Sequence, residues 1–315
     1  MANSKLYFPH IPKSAGTSFR NAFENQYGTD KVLRDYSASA PETTPNLFDV
    51  IYQDQDFYAL KRKLETIDFK LLAGHFPAAK YAKLFPLENM VTFVREPIAR
   101  LVSEYKHFVR HRNYKGSLTE FVRKPENINK QARLLKNLPI SSIGFIGVTE
   151  QYQTSLEMFS HQYDINIPLL NKNIAPKSQG SDLGLSDSLL EEIKKINAQD
   201  LLLYAEVVEL HDKRYQLFQD SLPYTLGQFH ISNGHILQGW AYQIGIQTPI
   251  KIGIHWEGKL QHQLVANKYN MLMDSLNSPR AGHIGFNIKV PENVEPSSIL
   301  CINQDTLQPL VNRIS

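Results

Sequence analysis

The 315-residue sequence contains a single cysteine, Cys301. No intramolecular disulfide can form, so a disulfide-built secreted scaffold is excluded. Cys301 reads as a small buried hydrophobe near a strand end. Long apolar runs are missing too: no window approaches the ~20 residues of a membrane-spanning helix. The opening MANSKLYF has no apolar signal-peptide core, from which a cytoplasmic location is expected. Charge of one sign is scarce. Thirty-four Lys/Arg face 31 Asp/Glu, a net +3, so no global field marks a nucleic-acid binder and none is expected as partner. There is no H-E-x-x-H and no Cys/His cluster, and no metal is expected. No internal repeat or low-complexity tract is found.

What is present is an alternation. Short apolar strands at Lys5 to Ile11, FKLLAGHF, MVTFV and SSIGFIGVTE are separated by helical patterns. These run from about Gly16 to Gln26, through FYALKRKLETI, PIARLVSEYKHFVRHR and YQTSLEMFSHQY, and from LSDSLLEEIKK to RYQLF. Residues 35–50, with two prolines and many small polar residues, read as a surface loop. Strands alternating with helices predict an α/β domain with a parallel sheet flanked by helices, over residues 1–220. Ligands of such sheets bind beyond the carboxyl ends of the strands. From 221 to 315 the pattern changes to period two, divided by Gly, Asn and Pro. That predicts a small all-β, sandwich-like accessory domain. In it, LQGWAYQIG resembles the G-W-A segment of β-domains attached to bacterial polysaccharide-synthesis enzymes. Trp240, Tyr242 and Trp256 are of the type that stacks on sugar rings, although alternation sends Trp240 and Tyr242 together towards a core.

The stretch YFPHIPKSAGTSFRNAF, residues 7–23, puts a lysine and a glycine at a strand-to-helix turn. A cation beside the positive end of a helix is unfavourable unless an anion lies between them. With a phosphate or sulfate there, the Lys13 ammonium, the backbone N–H groups of Ser14, Ala15, Gly16, Thr17 and Ser18, and the helix dipole converge on one guest. Gly16 lets backbone approach closely, and Thr17 and Ser18 offer hydroxyl donors and a helix cap. The stretch is not a Walker A loop, which needs G-x-x-x-x-G-K-[ST]. Charge is also concentrated locally: from Arg95 to Lys136 there are eleven Lys/Arg against four Glu.

H-I-P-K-S-A-G-T-S-F resembles the 5′-phosphosulfate-binding loop of sulfotransferases that use 3′-phosphoadenosine 5′-phosphosulfate. V-T-F-V-R-E-P-I-A-R-L-V-S-E-Y resembles their 3′-phosphate-binding segment, with Arg95 ending a strand and Ser103 on the next helix. The variant is most similar to the branch of the heparan 2-O- and 6-O-sulfotransferases and bacterial relatives, over about residues 5–218. L-L-A-G-H-F, N-I-N-K-Q-A-R-L-L, I-G-V-T-E and L-N-K-N-I-A-P-K-S are looser matches. The resemblance implies a P-loop-like sulfotransferase fold, with this donor as co-substrate and 3′-phosphoadenosine 5′-phosphate as product. It implies Lys13 at the oxygen bridging phosphate and sulfate, and Arg95 and Ser103 on the 3′-phosphate. Lys172, Lys177 and Ser178 match a donor-covering loop. It also implies a histidine base. His75 follows Gly74 at a strand end, and imidazole as a group has a pKa near neutrality. The uronyl 2-O-sulfotransferases show two histidines around this point, whereas here only His75 stands there. Two roles are open to His10, orienting the loop or packing. Arg100, which shares a helical face with Ser103 and His107, is the alternative to Arg95, although it reads more as an outward salt bridge.

The expected activity is sulfuryl transfer to a hydroxyl, with a bacterial carbohydrate as leading acceptor and a small natural product as alternative. A nucleotide kinase or hydrolase on a related fold, or a non-catalytic nucleotide-binding protein, are the other classes. The missing Walker A argues against the first, and retention of Lys13 and His75 against the second.

Overall fold

The computed structural model describes residues 5–168, 185–232 and 235–313. They form two compact units, one drawn from residues 1–81, 91–138 and 145–212, the other from 82–90, 139–144 and 213–315. Among the described residues no helix is long and apolar enough to cross a membrane.

The first unit is α/β. Strands β1 (Leu6–Pro9), β2 (Val32–Asp35) and β3 (Leu71–Gly74) form a parallel sheet in the order β1-β3-β2, and β4 (Val91–Val94) pairs in parallel with β5 (Phe145–Val148). The hydroxyl of Thr92 in β4 donates to the carbonyl of Pro9 in β1 at 2.8 Å, tying the two sets of strands together. Each of these strands is only four residues long, and β1, β3, β4 and β5 are buried throughout. That explains their continuous apolar sequences, since a strand covered on both faces loses the in-out alternation. The sequence reading missed β2, whose VLRD carries charge at its end. Gly74 is demanded by β2: a Cβ there would lie 1.7 Å from the Asp35 carbonyl oxygen.

Helix α1 (Gly16–Tyr27) follows β1. The short α2 (Pro45–Phe48) and then α3 (Phe57–Thr66) precede β3, and α4 (Pro97–His111) follows β4. Beyond α4 come α5 (Leu118–Val122), α6 (Lys130–Leu134), α7 (Tyr152–Tyr163), α8 (Asp187–Ile196) and α9 (Ala198–Gln219). The long helical pattern read as one is therefore two helices, divided at Asn197, whose side chain bonds back to Ile193 and to the Asn129 backbone. Phe19 of α1 packs on Phe8, Phe93 and Phe159 with ring centroids 4.8–5.2 Å apart, gluing helices to sheet. Residues 35–50 are more than a surface loop. Thr43 is buried and its hydroxyl binds the backbone of Tyr36 and Ser37, while Leu47 and Ile51 enter the core.

The second unit is mainly β. Strands β6 (Thr225–Ser232), β7 (Ile236–Gln243), β8 (Lys251–Trp256), β9 (Lys259–Val265), β10 (Lys268–Tyr269), β11 (His283–Lys289), β12 (Leu300–Asn303) and β13 (Val311–Asn312) form two sheets, and α10 (Met271–Ser275) lies between β10 and β11 in sequence. Their orders are β10-β11-β7-β6-β13 and β12-β8-β9. Phe229, Leu237 and Phe286 from one sheet and Ile252, Ile254 and Cys301 from the other share one apolar core. Trp240, Tyr242 and Trp256 are buried at 3%, 1% and 8% exposure. The sugar-stacking role is thereby overturned. Ala241 between the first two is buried as well, so β7 is covered on both faces there.

Candidate active site

The strands are parallel within each sheet, and the residues that follow the carboxyl ends of all five gather in one place. Tyr36 follows β2, His75 follows β3, His10 follows β1, Arg95 follows β4, and Thr149-Glu150 follow β5. A cavity of about 1350 Å³ opens there, and all of these residues line it.

The β1–α1 turn forms its floor. Lys13 and Ala15 hold φ of 67° and 58°, the left-handed region that non-glycine residues rarely occupy. Such strain persists where the surroundings enforce it, often at binding sites. Alternating left- and right-handed residues turn successive N–H groups to one side, an anion-binding nest. Helix α1 starts at Gly16, and its N-cap, Ala15, supplies no side-chain cap. Thr17 and Ser18 thus sit inside the first turn and do not cap it, contrary to the sequence expectation. The uncapped helix end faces the cavity, where its dipole favours an anion. Ser14 is 1% exposed, its N–H goes to Ile11 O at 3.3 Å, and it does not line the cavity; Lys13, Ala15, Gly16, Thr17 and Ser18 do.

Arg95 is braced from every side. Gln131, fully buried, accepts from the Arg95 N–H at 3.0 Å and donates to its carbonyl at 2.8 Å. Asp200 in turn holds the N–H groups of Gln131 and Ala132 at 3.2 and 2.7 Å. The Arg95 guanidinium donates to Lys13 O at 3.2 Å and lies 3.9 Å from Glu150. Glu150 also accepts from Glu96 N–H and Tyr204 OH, both at 3.0 Å. The looser sequence matches around Gln131 and Glu150 are therefore the supports of the arginine. Ser103 lines the cavity on α4.

Arg100 is not outward. It is wholly buried and donates to Glu104 at 2.6 Å, while Lys130 holds the other Glu104 oxygen at 2.5 Å. Burial alone would raise the Glu104 pKa; the two cations reverse this and hold it ionised. Of the basic stretch, only Arg95, Arg112 and Lys130 line the cavity. Arg123 is spent on Glu192, and Arg133 on the carbonyls of Pro125 and Glu126. Burial, and secondly Arg95, lower the Lys13 pKa, with Glu104 opposing.

His75 is exposed to the cavity, with two aromatic rings packed beside it. Its ring lies 4.6 Å from that of His10 and 4.7 Å from that of Tyr36, nearly perpendicular to the latter. This desolvation, then Lys130 and Arg20, push its pKa down to about 4, with Glu104 and Glu42 opposing. The imidazole is therefore neutral at physiological pH and can accept a proton.

The sequence reading missed Tyr36, Glu42, Glu104, Lys130 and Gln131. Their short segments carry no recognisable pattern, and only the sheet brings their ends together. Lys172, Lys177 and Ser178 lie outside the described residues. Among the described residues no three His, Cys, Asp or Glu gather as metal ligands would.

An anion nest, a lysine, a braced arginine and a neutral histidine on one sheet edge are the equipment of a group-transfer enzyme acting on an anionic donor. Residues 2–164 match the model of the sulfotransferase family, and the chain belongs to that family. No curated protein matches the sequence. A crystal structure of a sulfotransferase from Alicyclobacillus acidocaldarius is similar at 14% identity and a TM-score of 0.36, over 65% of this chain and 96% of that one.

Proposed function

We propose that this chain transfers the sulfuryl group of 3′-phosphoadenosine 5′-phosphosulfate to a hydroxyl of a carbohydrate, on a P-loop-like fold. The observation that carries this is the order along the sheet edge. In one sheet β1 pairs with β3, and Thr92 ties β4 of the other sheet to β1. His75 thus stands on one side of the β1 nest and Arg95 on the other. A phosphosulfate in the nest would have its 3′-phosphate towards Arg95 and Ser103, and its sulfate towards His75. Arginine suits the phosphate because its fork matches two oxygens at once. Leu134, Phe108 and Tyr204 offer apolar surface to a base ring. The volume exceeds the ~300–1,000 Å³ of an ordinary small-ligand pocket, which leaves room for an acceptor beside the donor. Tyr36, Ser37 and Glu42 make that end polar, as a polyhydroxyl acceptor requires.

In the reaction His75 takes the proton of the acceptor hydroxyl as its oxygen bonds to sulfur. The opposite sulfur–oxygen bond breaks in line, and the pair of electrons stays on the bridging oxygen. Lys13 and the nest N–H groups neutralise the charge gathering there.

The test is ligand-dependent thermal stability. 3′-Phosphoadenosine 5′-phosphate should raise the melting temperature clearly, because linkage favours the state that binds. Adenosine 5′-monophosphate should do much less, since Arg95 and Ser103 lose their partner. Equal shifts would sink the 3′-phosphate reading, and a preference for ATP with magnesium would favour a kinase.

A further inference from the structure

Gly16 needs an explanation. It opens α1 in ordinary helical conformation and is absent from the positive-φ residues. Its backbone therefore does not require glycine. Its surroundings do: a Cβ on Gly16 would lie 2.0 Å from Cδ2 and 2.3 Å from Nε2 of His10. The His10 ring is 5% exposed, stacked on Phe8 at 5.6 Å with a 9° interplanar angle. On its other side it meets the ring of His75 at 4.6 Å. Tyr36 closes the arrangement. Its hydroxyl accepts from Arg20 of α1 at 2.7 Å and is 3.3 Å from His10 Nδ1. Which of the two donates in the Tyr36–His10 contact depends on the tautomer of the ring. Burial, His75, Arg20 and Lys13 all hold this ring uncharged. A charged ring would repel the nest lysine; an uncharged one can pack against it.

We propose that His10 is a positioning residue: its buried ring is a strut between Gly16 of the anion nest and the ring of His75, and it sets the proton acceptor against the donor. The proposal rests on the donor reading above. A strut transmits displacement because interiors are close-packed and yield little. Gly16 is then glycine for the sake of His10, and the two positions must be coupled.

Three variants test this: Gly16→Ala, His10→Ala and the double variant. The readouts are calorimetric affinity for 3′-phosphoadenosine 5′-phosphate and the His75 imidazole NMR signals with and without that nucleotide. In the wild type the nucleotide should shift the His75 signals. Gly16→Ala should weaken nucleotide binding about a hundredfold, as a displacement of ~1 Å in a positioned site can. His10→Ala should bind nucleotide within about threefold of wild type, but its His75 signals should be exchange-broadened with and without nucleotide, because the ring is no longer held in place. The double variant should recover the affinity of His10→Ala, since the added methyl now has room. If it binds as weakly as Gly16→Ala, the glycine serves the donor directly and the strut is refuted. Sharp, wild-type-like His75 signals in His10→Ala refute it equally. If His10→Ala does not fold, His10→Asn, smaller but still polar, carries the same comparison. Failure of the wild type to bind the nucleotide would instead refute the donor reading.

Discussion

Lys13 and His75 carry distinguishable charges of work. Lys13→Ala should lower turnover by about 10²–10³, the usual loss for one transition-state donor. Affinity for the product nucleotide should fall less, because the product has already lost its sulfate. Near-normal turnover in that variant would remove Lys13 from the chemistry. His75→Ala should cost about 10²–10⁴ in turnover, the range of positioned proton transfer, with nucleotide affinity nearly unchanged. The pH dependence has a definite sign. Protonated imidazole cannot accept a proton, so activity rises with pH as His75 loses its own. In the free enzyme that limb is centred near pH 4; a bound polyanionic donor stabilises the imidazolium and moves it upward. The limb should therefore lie higher in kcat than in kcat/KM, and an acid limb unchanged by His75→Gln would exclude this base. Stability has the same sign. His75 titrates at about 4 when folded and near 6.5 unfolded, so the unfolded chain takes up protons first. Stability from this residue is intact above about pH 6.5 and is lost on acidification towards 4. A melting temperature that rises as the pH falls through that window would contradict the lowered pKa of His75.

Elements matter here mainly through what holds their ends. Arg95 follows a four-residue strand, and nothing within that strand could orient it. Gln131 of α6 does so, satisfying both backbone groups of Arg95 from a fully buried position. Gln131→Ala would leave a buried N–H and a buried carbonyl without partners, at a cost of about 1–3 kcal/mol for such a group. We expect lower stability in urea and weaker binding of 3′-phosphoadenosine 5′-phosphate, with adenosine 5′-monophosphate binding less affected. Equal weakening for both nucleotides would mean that Gln131 supports the whole unit rather than the arginine. Helix α4 shows the same logic. Pro97 opens it without a lost hydrogen bond, and Glu96 caps it through Ile98 and Ala99 N–H. Of its buried Arg100–Glu104 pair, joined by Lys130, Glu104 reaches the cavity while Arg100 is wholly buried behind it.

The two compact units are interleaved along the chain, since residues 82–90 and 139–144 belong with the C-terminal strands. Tyr242 of β7 donates to Ser142 O at 3.0 Å, and Ser141 donates to Gln228 of β6 at 2.7 Å. A chain ending at Asp220 would keep these two segments and lose their partners. Leu87, Met90, Ile140 and Ile143, all buried, would face water at roughly 1.5–3 kcal/mol for each fully exposed side chain. The shortened chain is thus expected to melt well below the full one and to aggregate. A shortened chain as stable as the full protein would show that the two segments add nothing to its folding.

The sequence by itself determined the local chemistry. A lysine at a strand-to-helix turn, an arginine closing an apolar strand and a histidine after a glycine are each legible, because strand ends and helix starts are set by neighbours in the chain. The α/β alternation and the change to period two were legible for the same reason. What only the tertiary structure decided is which chain ends share a space. Thr43 folds residues 35–50 inward, Asn197 divides one helical pattern into two, and Arg100 turns inward to a carboxylate four residues on. Ala241 and Trp256 enter a core shared by two sheets, while Trp240 is buried on the opposite face of β7. Gly16 and His10 are six residues apart and look unrelated in the sequence. Their fit depends on the side-on meeting of β1, β3 and α1, a contact between elements that no local pattern encodes.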